Sequence, residues 1–147
     1  MMLSPHFALS EFVVSGEAAR AGIDNTPPGH IIQALQRTAM GLEAVRVRLG
    51  TSPITITSGF RCLPLNRRLG SKDTSQHVMG EAADFLCPRF GSPAKIVSAL
   101  LDSGIPYDQL ILEYSGPAGG GWVHISFSDQ PRRMALEIDA KGTRPLG

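Results

Sequence analysis

Cysteine is scarce in this sequence, which has only Cys62 and Cys87 among its 147 residues. Two cysteines are too few for the disulfide framework that stabilises many small secreted proteins, so that class of protein is excluded. We expect two reduced thiols buried in the core. A single disulfide between them, or a role in metal binding, is the alternative.

An excess of charge of one sign is also missing, because 14 basic residues face 13 acidic ones and the net charge is +1. The chain therefore has no general basic field for nucleic acid and no polybasic segment for an anionic membrane. No segment approaches the roughly 20 apolar residues of a membrane span. The first residues lack the basic and apolar regions of a signal peptide, so we expect cytoplasmic synthesis without a secretory signal.

The length and the hydrophobic fraction of 42% are those of one globular domain, which we place at residues 1–147. We expect residues 1–26 to form an N-terminal segment with a brief helix through Ala19, and residues 140–147 to form a frayed tail. After Pro27 and Pro28, apolar residues at helical spacing predict a long amphipathic helix that ends at Gly50.

Runs of alternating or continuous apolar residues predict a sheet, and shorter helices lie between its strands. The predicted strands are residues 53–57, 82–86, 108–113 and 122–127, with 134–138 as an edge strand. The predicted short helices are residues 64–69 and a segment from Pro93 to Gly104. This order predicts the α+β class, with a mixed, largely antiparallel sheet and helices packed on one side.

Two histidines and an aspartate form the most informative pattern. His77 and Asp84 are seven residues apart with Gly80 between them, where the chain can bend back. His124 lies in a strand of alternating pattern. Two imidazoles and a carboxylate are a set that catalytic zinc uses when its fourth position is left to water. We therefore predict a Zn²⁺ site at His77, Asp84 and His124, and a metal-assisted hydrolase.

The other two histidines, His6 and His30, have no acidic or cysteine neighbour in the sequence, so we expect them at the surface. Other hydrolase motifs are absent: there is no His-Glu-x-x-His helix and no Gly-x-Ser-x-Gly elbow. A cysteine nucleophile, with Cys62 upstream of His124, is a minor alternative.

Glu113 is the best candidate for the general base, because it ends an apolar strand where a carboxylate has no structural reason to lie. Its orientation depends on strand register. Pairing with Trp122 would place Glu113 on the face of His124, whereas pairing with Val123 would turn it away. An exposed glutamate at a strand end is the alternative.

Three further polar residues are candidates for contacting the substrate. The guanidinium of Arg61 could bind a carboxylate through two parallel hydrogen bonds, with a structural ion pair as the alternative. Ser75, two residues before the first histidine ligand, and Gln109 could orient a ligand or contact the substrate. Glu81 and Asp108 are weaker candidates for the base, and we expect them to be a solvated residue and a turn residue.

These motifs follow one another in a fixed order. Ser75-x-His77-x-x-Gly80-x-Ala82-x-Asp84 comes after Ser58-Gly-Phe-Arg61 and before Trp122-Val-His-Ile-Ser126. Leu9-Ser-Glu-Phe12 and Ile23-Asp-Asn-Thr-Pro27 lie further upstream. Together they resemble the zinc D-alanyl-D-alanine carboxypeptidase family over roughly Leu9 to Phe127. That family includes bacterial and phage-encoded peptidoglycan peptidases, and its fold is shared with the Hedgehog signalling domain.

The resemblance implies roles for the residues singled out above: zinc binding by His77, Asp84 and His124, substrate anchoring by Arg61, and Ser75 as the serine before the first ligand. Many members place an acidic residue a few positions before the second histidine, but here Gly121 stands three before it. In subgroups with a Gln-Leu-Ile-x-Glu strand the glutamate takes that role, which again points to Glu113.

The implied activity is hydrolysis of a peptide bond in the stem peptides of peptidoglycan, by a carboxypeptidase or an endopeptidase. With no signal peptide and no wall-binding repeat, we expect a phage or prophage lytic enzyme, released by a holin or carried on a virion, and a monomer. Two alternatives stay open. One is a module that binds zinc without catalysis, and the other is a cytoplasmic hydrolase of a small D,D-dipeptide.

Overall fold

The computed structural model describes residues 1–146. Its helices are α1 (Leu9–Val13), α2 (Gly16–Ala21), α3 (Gly29–Arg48), α4 (Leu63–Arg68) and α5 (Pro93–Leu101). Its strands are β1 (Met2–Ser4), β2 (Phe7–Ala8), β3 (Thr55–Ser58), β4 (Ala82–Leu86), β5 (Gln109–Glu113), β6 (Trp122–Ser126), β7 (Met134–Asp139) and β8 (Gly142–Pro145).

Six of these strands form one sheet in the order β3-β4-β6-β5-β7-β8, and β1 and β2 form a separate small hairpin. Neighbours in the large sheet are antiparallel, except that β5 and β7 run parallel. The predicted α+β class with a mixed, largely antiparallel sheet is confirmed.

The core lies between one face of this sheet and the helices α3 and α5. Alternate residues of the central strands point into it, as the period of two in a strand requires. The buried cluster includes Leu35 and Leu42 of α3, Ile96 and Leu100 of α5, and Phe85, Leu110, Leu112, Val123 and Ile125 of the sheet. We call the opposite face, which carries Asp84, Glu113 and His124, the site face.

The N-terminal helix expected through Ala19 is two helices in the structure. The backbone is extended at Ser15, whose side chain accepts a hydrogen bond from the backbone N–H of Ala18. This capping bond marks the start of a second helix, α2. It satisfies a backbone N–H that has no acceptor within the helix itself. The preceding β1–β2 hairpin was not predicted.

Two expectations for the C-terminal part are corrected. The strand at 134–138 exists as β7, but it lies between β5 and β8 and is therefore not an edge strand. Residues Gly142–Pro145, expected to fray, pair with β7 as β8. Gly147, the end of the expected tail, lies outside the described residues.

Cys62 and Cys87 are both free thiols in this structure; Cys87 is buried as expected, whereas Cys62 is only partly buried. No helix within residues 1–146 has the length and apolar character needed to cross a bilayer.

Candidate metal centre

Three side chains from separate segments meet on the site face. Asp84 on β4 is the direct cross-strand partner of His124 on β6, and His77 approaches them from the turn before β4. Oδ1 of Asp84 lies 3.0 Å from Nδ1 of His124 and 3.4 Å from Nε2 of His77. One ligand atom from each residue lies within 4.8 Å of the other two, and all three residues are buried. The structure thus brings the predicted ligand set together.

The turn that carries His77 is fixed at both ends. Gly80 has a φ of 72°, which a glycine adopts without steric cost, and Thr38 of α3 donates a hydrogen bond of 2.8 Å to its carbonyl oxygen. Nδ1 of His77 lies 2.7 Å from the carbonyl oxygen of Gly59. With N–H at Nδ1 donating to that carbonyl, Nε2 is the nitrogen left for a metal.

This donor set fits a divalent zinc-like cation, because two imidazoles and one carboxylate converge from three directions. Burial opposes ionisation of Asp84, but its contacts with His124 and His77 outweigh burial and hold the pKa of this carboxyl well below its usual range. An ionised carboxylate is the form that metal binding needs.

The side chain of Glu113 lies on the same face of the sheet as the ligands Asp84 and His124. Its cross-strand partner is Trp122, which is the register that places Glu113 on the face of His124. Oε1 of Glu113 lies 3.9 Å from Nδ1 of His124. Burial, together with the charge of Asp84, raises the pKa of Glu113 above its ordinary value. A carboxylate with a raised pKa is better suited to accept and return a proton near neutral pH.

Arg61 is held beside the ligands by two hydroxyl oxygens and by the carboxylate of Asp84. Its Nε donates to Ser58 Oγ at 3.1 Å, and its Nη1 donates to Ser71 Oγ at 3.3 Å. Nη2 lies 3.5 Å from Oδ2 of Asp84. Burial lowers the pKa of Arg61, against the opposing charges of Asp84 and Glu113. The guanidinium is thus positioned next to the ligands.

The three ligands, Glu113 and Arg61 all line one cavity of about 470 Å³. Ser75 is at its wall, and its Oγ accepts a hydrogen bond of 3.2 Å from the backbone N–H of His77. Ser75 is therefore placed to orient the ligand turn. The lining consists of Arg61, Leu69, Ser71, Ser75, His77, Asp84, Glu113, Tyr114, Trp122 and His124.

The structure does not bring Gln109 to this cavity. Gln109 begins β5 whereas Glu113 ends it, so the two lie about 13 Å apart along the strand. Glu81 is also outside the cavity lining and pairs with Arg37 at 3.0 Å. Asp108, which we expected to be a turn residue, is buried. Its carboxylate accepts hydrogen bonds from Arg132 and Gln76.

His6 and His30 are exposed, as expected. Several other residues of the site were not found from the sequence. Asn66 is fully buried on α4 and its Oδ1 lies 3.5 Å from Nη1 of Arg61. Tyr114 and Trp122 stack with ring centroids 5.5 Å apart at the cavity. A short helix and a hairpin tip carry no periodic pattern that would have marked Asn66 or Tyr114.

Comparison with known proteins gives two matches. A family model described as peptidase M15 matches residues 5–126. The zinc D-Ala-D-Ala carboxypeptidase of Streptomyces albus G is 40% identical over 47 residues, which are 32% of this chain and 18% of that protein. The second match thus spans less than a fifth of the relative's length, whereas the family match spans most of this chain.

Proposed function

The chain belongs to the peptidase M15 family, and from this we propose that it hydrolyses a peptide bond in peptidoglycan stem peptides with the help of bound zinc. The match to a zinc D-Ala-D-Ala carboxypeptidase supports the substrate class. Under this proposal the substrate lies in the cell wall. We further propose that the protein acts there as a monomer, in the manner of a phage lytic enzyme.

One observation carries the proposal: a buried His-Asp-His group with a separate carboxylate beside it. His77, Asp84 and His124 would hold the zinc ion, and Glu113 reaches within 3.9 Å of the last of these. A non-catalytic zinc module would be favoured by a Glu113 that pointed away from the ligands. The observed register has the opposite orientation.

Zinc, when bound, would polarise the scissile carbonyl and bring the pKa of water toward about 7. Glu113 is placed to take the proton of the attacking water at its carboxylate and to return it to the leaving amine nitrogen. Its raised pKa favours the first of these steps, because a more basic carboxylate takes a proton from water more readily.

Arg61 would bind negative charge on the substrate. Its Nε and Nη1 are directed to hydroxyl oxygens, while Nη2 stays beside the ligand Asp84. A guanidinium fixed in this way can bind a carboxylate or the developing oxyanion without first reorganising.

The test is dye release from purified peptidoglycan, with mass spectrometry of the released fragments. Zinc-loaded wild type, Glu113→Gln and a control Glu137→Gln would be compared. Glu137 is a partly buried glutamate on β7 that pairs with Arg144 at 3.4 Å and does not line the cavity. We expect Glu113→Gln to lose roughly 100- to 10,000-fold in rate while it still binds zinc, with the control unchanged.

The fragments identify the bond and thereby separate a carboxypeptidase from an endopeptidase. Zinc binding without cleavage of the wall, but with cleavage of free D-Ala-D-Ala, would replace the proposal by a small-dipeptide hydrolase. Zinc binding with no cleavage of either substrate would contradict a peptidase function.

A further inference from the structure

A second cavity adjoins the metal centre along the outer edge of β3. Its volume is about 780 Å³, and it lies between this edge and the helices α1 and α2. Arg61 and Leu69 line both this cavity and the one at the metal centre, so the two adjoin there. We call it the β3 groove, defined by Ser10, Val14, Ser15, Thr55, Thr57 and Leu69.

The outer edge of β3 has no strand partner. β3 is the first strand of the sheet and pairs only with β4. Within residues 1–146, no backbone hydrogen bond links Thr55–Ser58 to an element other than β4. Unpaired N–H and C=O groups on an edge strand are a template for one more strand. The groove therefore offers main-chain hydrogen bonds to an extended chain.

The end of this edge lies next to the metal centre. Ser58, the last residue of β3, is the cross-strand partner of the ligand Asp84. Its Oγ accepts the hydrogen bond from Nε of Arg61. A chain added at the edge would lie about 4.8 Å from β3. Beyond Ser58 the chain meets α1, where the carbonyl oxygen of Phe12 accepts a bond of 2.7 Å from the N–H of Phe60. The added chain would therefore leave the edge at Ser58, beside Arg61.

The walls of the groove suit a peptide. Hydroxyl groups alternate with aliphatic side chains, and the acidic residue on α2 is already paired, since Glu17 contacts Arg20 at 2.9 Å and Arg68 at 2.7 Å. A peptide needs such mixed surfaces, whereas an acyl chain needs a continuous apolar one and an anionic polymer needs unpaired cations. The mixed lining includes Ser10, Val14, Ser15, Thr55, Ile56 and Thr57.

We propose that the β3 groove binds an extended peptide segment of the substrate as an added strand, so that cross-linked stem peptides are cleaved in preference to a free dipeptide. This inference rests on the proposed function and names the class of substrate: a peptide that continues past Arg61.

Two variants block opposite walls without touching the metal ligands. Thr55→Arg adds a long side chain on the exposed edge of β3, and Val14→Arg does so from the end of α1, where Val14 is 75% exposed. Thr143→Arg is the matched control, because Thr143 is an exposed threonine on β8 at the opposite edge of the same sheet. Circular dichroism and zinc content establish that each variant is folded.

The readout is kcat/KM for a cross-linked stem-peptide dimer and for free D-Ala-D-Ala. We expect both groove variants to lose about tenfold on the dimer, the worth of one or two main-chain hydrogen bonds. Hydrolysis of the dipeptide, and both activities of Thr143→Arg, should stay unchanged. A parallel loss on both substrates, or no loss on either, would overturn the proposal.

A binding measurement separates this inference from the proposed function. Zinc-loaded, ¹⁵N-labelled Glu113→Gln would be titrated with the dimer, and shifts of the Thr55–Ser58 amide signals are expected. Amide shifts confined to residues of the metal cavity would contradict peptide binding at the β3 groove, whether or not the wild type is active. The occupant would instead be a second copy of this chain if light scattering finds a dimer that Thr55→Arg dissociates, and this result also overturns the proposal.

Discussion

Nδ1 of His77 and the carbonyl oxygen of Gly59 are joined by a hydrogen bond of 2.7 Å. The same glycine lies directly against α1. A Cβ atom at Gly59 would be 2.5 Å from the carbonyl oxygen of Phe12, which also accepts a bond of 2.7 Å from the N–H of Phe60. The orientation of a metal ligand therefore depends on how closely α1 approaches the end of β3.

Gly59→Ala should weaken zinc binding. The added methyl group must push the segment away from α1, and the carbonyl that orients His77 moves with it. We expect a loss of roughly 10- to 100-fold in zinc affinity, the usual effect of losing a partner that orients a ligand. Competition with a chromophoric chelator measures it. Gly29→Ala is the control, because no atom lies within 4 Å of a Cβ there, and equal affinities of both variants would contradict the prediction.

Asp84→Asn should remove tight zinc binding while leaving a folded chain. The amide keeps the shape of the side chain but loses the charge that two imidazoles surround. We expect zinc affinity to fall by more than the roughly 100-fold that loss of an orienting partner causes. Mass spectrometry of metal content after gel filtration checks this. Asp129→Asn, with a side chain 88% exposed, should retain zinc, and retention of zinc by both variants would place the metal elsewhere.

Arg61→Lys should lower kcat with little effect on zinc content. Lysine cannot reproduce the fork that bonds Ser58 and Ser71 and still present a donor to the substrate. A loss of roughly 100-fold in kcat is expected, comparable to removal of one oxyanion donor. Arg67→Lys is the control, since Arg67 is exposed and pairs with Asp73. A change in KM alone would contradict this prediction, because it would mean that Arg61 binds the ground state and the transition state equally.

Asp108→Asn should destabilise the fold by about 2 kcal/mol at neutral pH, because a charged acceptor of several hydrogen bonds is lost. Asp108 is 2% exposed and accepts bonds from Arg132 and Gln76, and these hold its pKa well below the usual range. A depressed pKa contributes stability above the unfolded value of about 3.9, and this stability is lost as pH falls below it.

Urea unfolding at several pH values measures this dependence. The difference in free energy of unfolding between wild type and Asp108→Asn should be largest above about pH 5 and should shrink toward pH 3. The control is Asp102→Asn, at an exposed position just after α5. A difference that is independent of pH would show that the carboxylate charge of Asp108 is not what stabilises the protein.

The sequence predicted which side chains would meet where residue chemistry and strand period coincide. Alternation in β6 fixed the face of His124, and the glycine turn at Gly80 carried His77 back toward Asp84. The face of Glu113 depended on register, because a shift of one residue reverses every side chain. Only the long-range pairing of Glu113 with Trp122 decides it.

Other features depend on tertiary contacts that have no local signal. β8 consists of exposed residues and has no apolar pattern, so the sequence alone indicates an edge strand at β7. Gln109 shares its strand with Glu113, but distance along the strand removes it from the cavity. The carbonyl of Gly59 orients His77 across 18 residues of sequence. The side-chain amide of Asn66 contacts Arg61 from a short helix, and no spacing rule reveals either contact.

We propose that one zinc ion at His77, Asp84 and His124, with Glu113 beside it, makes this chain a peptidase. The most direct measurement is a zinc titration of chelator-stripped protein, with stem-peptide hydrolysis followed at each step. We expect hydrolysis to rise in proportion to bound zinc and to saturate at one equivalent. Glu113→Gln should bind the same equivalent without hydrolysis. Hydrolysis that is independent of zinc, or full activity of Glu113→Gln, would contradict the claim.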